Sequence, residues 1–210
     1  PQQTIYAAMH QDYAEGLVWD ERDRFPNEAA CGDIVIKNLL KGGRGHYGPL
    51  EHPQIVLNCG WFPHSTMQQI RTHRVGVSFD VQSFRYTGRR LLQVANGERE
   101  IEEVFYLRPL GLYTDRQGKK YEYTQAQRQA DMEWCLEACR HYQRRIQEGL
   151  SEEHARGLIP FDVRQHWILS ANVRSLMHLL DLRWKADAQL EAQQLCEQIW
   201  PHFVAWVPAI

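Results

Sequence analysis

The sequence predicts a single α+β domain spanning residues 1–210, and three observations predict it. The C-terminal third repeats its apolar residues at helical spacing. The first half carries a β-branched run closed by proline, with glycine punctuation on either side. No internal repeat or low-complexity linker divides the 210 residues, a length that buries one real core. A mostly antiparallel sheet packed by long helices is the expected architecture.

The elements follow in order. Residues 1–30 open with an apolar piece at 4–9, then a charged stretch at 20–24 that ends at Pro26. Residues 33–40 (DIVIKNLL) read as a helix stopped by Gly42 and Gly43. The loop GRGHYGPLEH follows. Residues 53–61 alternate loosely and are β-branched, a strand closed by Pro63. Ser65 to Gln68 has the form of a capping box, with Ser65 as N-cap of a short helix running through Ile70 to about His73. Loop and short strand are expected over 75–86. Strand and turn are expected over 91–123, with 104–107 as the best strand and Pro109 and Gly111 as breakers. From Thr124 to Gly149, apolar positions 132, 135, 136, 139, 142 and 146 define a helix that Gly149 ends. Ser151 caps a short helix, SEEHARGL, with acidic residues in its first turn. Asp162 caps a longer helix over about 163–184. A last helix runs over about 187–200, before Pro201.

Composition narrows the function. The chain is 43% hydrophobic and 11% aromatic, as folded globular proteins are, and its net charge of -2 excludes a generally basic nucleic-acid or membrane-surface protein. Against that balance, Arg71, Arg74, Arg85, Arg89 and Arg90 crowd into twenty residues, a cluster that suits a small anion better than a long polyanion. The five cysteines form no C-x-x-C pair and no disulfide spacing, and Cys135 and Cys139 read as small buried hydrophobes on a helix. The chain is therefore expected to be reduced and cytoplasmic. No apolar stretch approaches the roughly 18 residues of a membrane span.

Three groups of residues carry chemistry. On a helix over 163–184, at about 100° per residue, Leu169, Val173, Leu176, Leu180 and Trp184 share an apolar arc. Asn172 and Arg183 stack at its edge, and Arg174 and His178 are i,i+4 neighbours on the other side. Polar groups on two faces of so apolar a helix need partners, in salt bridges to neighbouring helices, in a ligand or in another subunit. The second group runs from Gln68 through Arg71, His73 and Arg74 to Ser83 and Arg85. Arginine is the side chain best shaped for phosphate, and hydroxyls add donors; a solvated basic surface is the plainer reading. The third group is His46, His52, His64 and His73. None of these pairs has the i,i+4 spacing of a zinc-binding helix, and no nearby cysteine or aspartate pair completes a tetrahedral set, so no metal is expected.

Arg71-Thr72-His73-Arg74 with Ser83 and Arg85-Tyr86 resembles the signature of flavin-dependent thymidylate synthases, Arg-His-Arg, seven residues, Ser, one residue, Arg-Tyr. GHYGPLEH is similar to that family's His-x-(Ser/Thr)-Pro-Phe-Glu-His segment, and the gap to the signature matches. Ala155-Arg156, Leu158-Ile159-Pro160, NVRSLMHLLDLR and AQLEAQQL are close to its C-terminal blocks. Thr72 separates Arg71 from His73, eight residues rather than seven precede Ser83, and Gly48 and Leu50 replace the usual Ser/Thr and Phe.

The resemblance implies reductive methylation of dUMP to dTMP, with methylene-tetrahydrofolate as carbon donor and NADPH-reduced FAD as hydride source, in a homotetramer whose sites form between subunits. It implies FAD contacts from His46, Glu51, Arg71, His73, Arg74, Asn172, Arg174 and His178. It implies dUMP contacts from Gln68, Arg71, Ser83, Arg85, Arg156 and Arg183, with Arg183 as the catalytic cation. The main rival is a metal-dependent nucleotide hydrolase using the histidines. A nucleic-acid-binding module using the arginines is a second.

Overall fold

The computed structural model describes every residue except Arg44, so the part of the 43–52 loop expectation that falls on Arg44 lies outside the described residues. In chain order the helices are α1 (Gln2–Gln11), α2 (Glu28–Val35), α3 (His64–Ile70), α4 (Phe84–Thr87), α5 (Arg89–Ala95), α6 (Gln125–Gln147), α7 (Glu152–Ala155), α8 (Val173–Arg183) and α9 (Leu190–Trp206). The strands are β1 (Gln54–Pro63), β2 (Val77–Val81), β3 (Gly111–Thr114), β4 (Lys120–Tyr123) and β5 (Arg164–Asn172).

One three-stranded sheet has the order β1-β5-β2, and β3 and β4 form a separate antiparallel hairpin. Asn172 N–H donates to the Gly76 carbonyl and Gln82 N–H to the His166 carbonyl. Residue numbers rise on one strand as they fall on the other, so β2 and β5 run antiparallel. The α+β class and the antiparallel pairing agree with the sequence.

Several elements differ from expectation. The largest is 163–172, expected as helix and found as strand β5. Gln165, Trp167, Leu169 and Ala171 alternate as buried positions, which is the period of a strand. Leu169 therefore belongs to a sheet and not to a helical arc, and the stacking of Asn172 over Arg183 on one helix face does not exist. Asn172 is instead the N-cap of α8, its side chain accepting from Ser175 N–H at 2.8 Å. Ser65 lies inside α3, so it is not a cap, and its N–H donates to Asp162 Oδ1 at 3.4 Å. The helix ends at Ile70 rather than near His73. Residues 104–107 form no strand beyond a single bridge between Phe105 and Val163, because 89–95 is helical and the hairpin lies further on. Helix α9 continues past Trp200 to Trp206 with Pro201 inside it. A proline forfeits one internal hydrogen bond, and the buried Ile199 and Phe203 on either side keep the helix going.

The helix expected over 124–149 and its stop at Gly149 hold. Thr124 makes a complete capping box with Gln127 at the start of α6, and Gly149, at φ 87, follows its end. Helix α2 starts earlier than the periodicity indicated, capped by Asn27, and runs into a π-helical turn at Ile36–Leu40.

By their contacts the residues group into two compact units, each discontinuous in sequence. The first is Pro1–Leu57, Ile70–Phe79 and Leu169–Ile210; the second is Asn58–Gln69 and Asp80–Ile168. In the first, α1 packs on α2 and α8 on α9. Gln2 ties this unit together: its side chain donates to the Glu28 carbonyl and accepts from Ala209 N–H. Gly32 is needed there, since a Cβ would stand 2.5 Å from the Ala209 side chain. In the second, α6 packs on α5 around Leu91, Val94, Phe105, Cys135, Cys139 and Tyr142. All five cysteines are free and buried, and burial pushes Cys59 and Cys196 up to about 11 and Cys135 and Cys139 up to about 12.

Candidate functional site

The first unit gathers five of the expected residues around one cavity of about 660 Å³: His73, Arg74, Arg174, His178 and Arg183. Backbone geometry explains why they meet. Ser175 Oγ donates to the Val75 carbonyl at 2.6 Å, and Asn172 N–H to the Gly76 carbonyl at 3.1 Å. Gly76 sits at φ 65, and a Cβ there would lie 2.1 Å from Asn172 Nδ2. Only glycine takes that backbone and leaves that space. The segment carrying His73 and Arg74 is thereby clasped to the N-terminus of the helix carrying Arg174, His178 and Arg183.

Inside the cavity Arg183 is held from two sides. Its Nε donates to His73 Nε2 at 3.1 Å and its Nη2 to Thr72 Oγ1 at 3.0 Å. Burial, then Arg183 and His178, lower the pKa of His73 below its ordinary value. A neutral imidazole accepting at Nε2 carries its proton on Nδ1, so both observations describe the same tautomer. The His73 and His178 rings meet edge to face at 5.6 Å. Arg174 pairs with Glu51 at 2.5 Å and lies over the Tyr47 ring.

Three expected residues take other places. Asn172 is buried, and its side-chain Oδ1 caps α8. His46, half of a pair with Asp12 at 3.3 Å, lines a different cavity of the first unit. Arg71 is exposed.

In the second unit Ser83 caps the short helix α4, accepting from Arg85 N–H at 3.3 Å. Arg85 reaches α7, where its Nε pairs with Glu153 at 2.7 Å. Arg156 follows directly on α7 and lies close enough to Tyr142 to lower its pKa against the upward push of burial and Glu152. Ser83, Arg85 and Arg156 are thus brought to neighbouring elements, α4 and α7. Gln68 is exposed on α3, with its side chain 2.8 Å from His64 Nε2.

Sequence reasoning missed Thr72, Ser175, Gly76, Glu153 and Asp12. Thr72 was visible as the extra residue in the signature. Glu153 was visible as an acid three residues before Arg156, while Asp12 gave no local signal.

Three guanidiniums and a neutral imidazole around one cavity, with a single carboxylate fixing one of them, suit a ligand that is both anionic and planar. Among the described residues no three of His, Cys, Asp or Glu converge as metal ligands, and no helix is long and apolar enough to cross a membrane.

Residues 1–209 match the family described as "Thymidylate synthase complementing protein". The chain is 32% identical to the flavin-dependent thymidylate synthase of Halobacterium salinarum over 99% of its own length and 88% of that protein's. It is 29% identical to that of Haloarcula marismortui with the same coverage. Its fold is similar to thymidylate synthase X from Helicobacter pylori, solved with FAD and dUMP (TM-score 0.71, 18% identity, 99% and 92% of the two chains). It is also similar to a UMP/dUMP methylase from Streptomyces cacaoi bound with 5-Br dUMP (TM-score 0.71, 22% identity, 97% and 85%). The chain belongs to the flavin-dependent thymidylate synthase family.

Proposed function

We propose that this protein methylates dUMP reductively to dTMP as an FAD enzyme, with methylene-tetrahydrofolate as carbon donor and NADPH as hydride source. One domain of residues 1–210 does this work, since the family match runs through both compact units. The observation that carries the reading is the cavity in which Arg183 is bonded to a neutral His73, with Arg74 and Arg174 on its walls.

Bound FAD supplies the hydride chemistry. Arg74 and Arg174 offer planar donor pairs to a pyrophosphate, Glu51 holds Arg174 in place, and His73 and His178 offer ring faces and a donor. His46, Arg71 and Asn172 remain proposed FAD contacts. The nucleotide's phosphate is assigned to Ser83, Arg85 and Arg156, with Gln68 and Arg71 as further contacts. Glu153 competes for Arg85, so binding exchanges one carboxylate for a doubly charged phosphate.

Arg183 is assigned the chemistry itself. C5 of uracil attacks an electrophile only if negative charge accumulates on the pyrimidine, and a fixed cation stabilises that charge without reorganising. His73 and Thr72 supply the fixing. No thiolate is at hand for an alternative route through a protein nucleophile, because all five thiols are buried with raised pKa values.

The protein is further proposed to act as a homotetramer in the cytoplasm. What supports the assembly is that the first unit exposes Leu182, Trp184, Trp200 and Val204 on α9 and the C-terminal end of α8, with the Trp184 and Trp200 rings 5.5 Å apart, an apolar surface that a second copy could cover. The test of the flavin reading is an absorption spectrum of the natively purified protein: flavin bands removable by denaturation are expected. A colourless protein that also takes up no added FAD contradicts it.

A further inference from the structure

Arg90, the second residue of α5, is a buried cation without a counter-charge among the described residues. Only 8% of its surface is exposed, and its guanidinium carbon lies over the Phe84 ring, 4.4 Å from the centroid. Its Nε and Nη2 are buried and have no hydrogen-bond partner among the described residues. These two nitrogens form one edge of the guanidinium, the edge whose parallel N–H bonds grip a carboxylate or phosphate side-on. A whole bidentate fork is therefore unpartnered, not one stray donor.

The charged neighbours do not compensate. Burial, then Arg99, lowers the pKa of Arg90 to about 10, which leaves it charged at neutral pH. Arg99 turns to its own carboxylate, Glu103, at 3.6 Å. Arg164 donates to the carbonyls of Glu102 and Trp61. His166 feels both Arg90 and Arg164, and they add to burial in lowering its pKa, so the imidazole stays neutral and keeps one N–H to donate. The ring is fixed: Trp61 meets it edge-on at 5.0 Å, and a Cβ on Gly60 would come within 2.4 Å of its Nδ1. A buried ion with no partner is costly, and a well-aligned bidentate partner offsets part of that cost.

We infer that Arg90 is the floor of an oxyanion site in the second unit, taking a phosphate or carboxylate group through its Nε–Nη2 edge, with His166 as a second donor. The inference does not rest on the thymidylate synthase reading, which assigns the nucleotide's phosphate to Ser83, Arg85 and Arg156. The oxyanion is either a separate small anion or that same phosphate, and the experiment separates the two.

Inorganic phosphate is titrated calorimetrically into the full chain at constant ionic strength, with and without saturating dUMP. The proteins compared are wild type, Arg90→Lys and His166→Phe. Lysine keeps the charge and loses the fork; phenylalanine keeps the ring against Trp61, loses the N–H and leaves Arg90 in place should the lysine variant fail to fold. Wild type is expected to bind phosphate, Arg90→Lys about tenfold more weakly, and His166→Phe about threefold more weakly. Binding that survives saturating dUMP assigns the site to a separate anion. Binding that dUMP abolishes, with dUMP itself held more weakly by the variants, assigns it to the nucleotide's phosphate. The inference is overturned if wild type takes up no phosphate and the variants bind dUMP as it does, or if phosphate affinity is the same in all three.

Discussion

Arg183 and His73 constrain each other, and both can be tested singly. Arg183 is assigned to charge that grows on the pyrimidine, so its loss should affect turnover more than binding. Arg183→Ala should retain FAD and fold yet lose about 10² to 10³ in rate even at saturating dUMP. Arg183→Lys should stay badly impaired, because it lacks the planar fork. Arg156→Ala should mainly raise KM for dUMP, with rate recovered at high substrate. An Arg183→Ala enzyme that turns over normally at saturation would reduce Arg183 to a binding residue. His73 titrates below its ordinary 6.5 because burial, Arg183 and His178 all disfavour its cation. Its folded value lies below its unfolded one, so the stability from the neutral form is complete above about 6.5 and is lost as pH falls through the folded value. Protonation also removes the lone pair that accepts from Arg183. The acid limb of kcat/KM should therefore fall below about 6.5, and His73→Gln should abolish that limb; an unchanged limb would assign it to another group.

The clasp between Gly76 and the N-terminus of α8 is the element that builds the cavity. Gly76→Ala forces a Cβ into Asn172 at a left-handed backbone position, and should cost about 1–3 kcal/mol in urea denaturation. Asn172→Ala removes only the cap and should cost about 1 kcal/mol. Both should also weaken FAD binding, and an unchanged denaturation midpoint in Gly76→Ala would show that the clasp is not needed. This element also marks how far the sequence could be read. The spacing put Arg183 on another face from Arg174 and His178, and the structure lines one cavity with all three. The helical state of 173–183 was legible, because helical periodicity is real there. The strand before it was not: QHWILSAN runs into VRSLMHLL with no glycine or proline between, so one long helix fitted the apolar spacing. Asn172, read as a ligand contact, was the missing punctuation. Burial of Trp167 and Leu169 in a sheet overrode local preference there, as Ile199 and Phe203 overrode Pro201 in α9. Partners distant in sequence, such as Asp12 for His46, leave no local trace.

At the scale of the whole molecule, the proposed self-association is tested at the exposed apolar side chains of α8 and α9. Sedimentation should find four copies of the 24.7 kDa chain, and Trp200→Asp, which charges that surface, should shift the protein towards smaller species. An active monomer would contradict the proposed assembly. The central claim, that this chain makes dTMP with a flavin, is tested most directly by tritium release from dUMP labelled at C5. Label should pass to water only when FAD, methylene-tetrahydrofolate and NADPH are all present, with dTMP formed in step. Folded, FAD-loaded protein that leaves the label on dUMP under those conditions would contradict the claim.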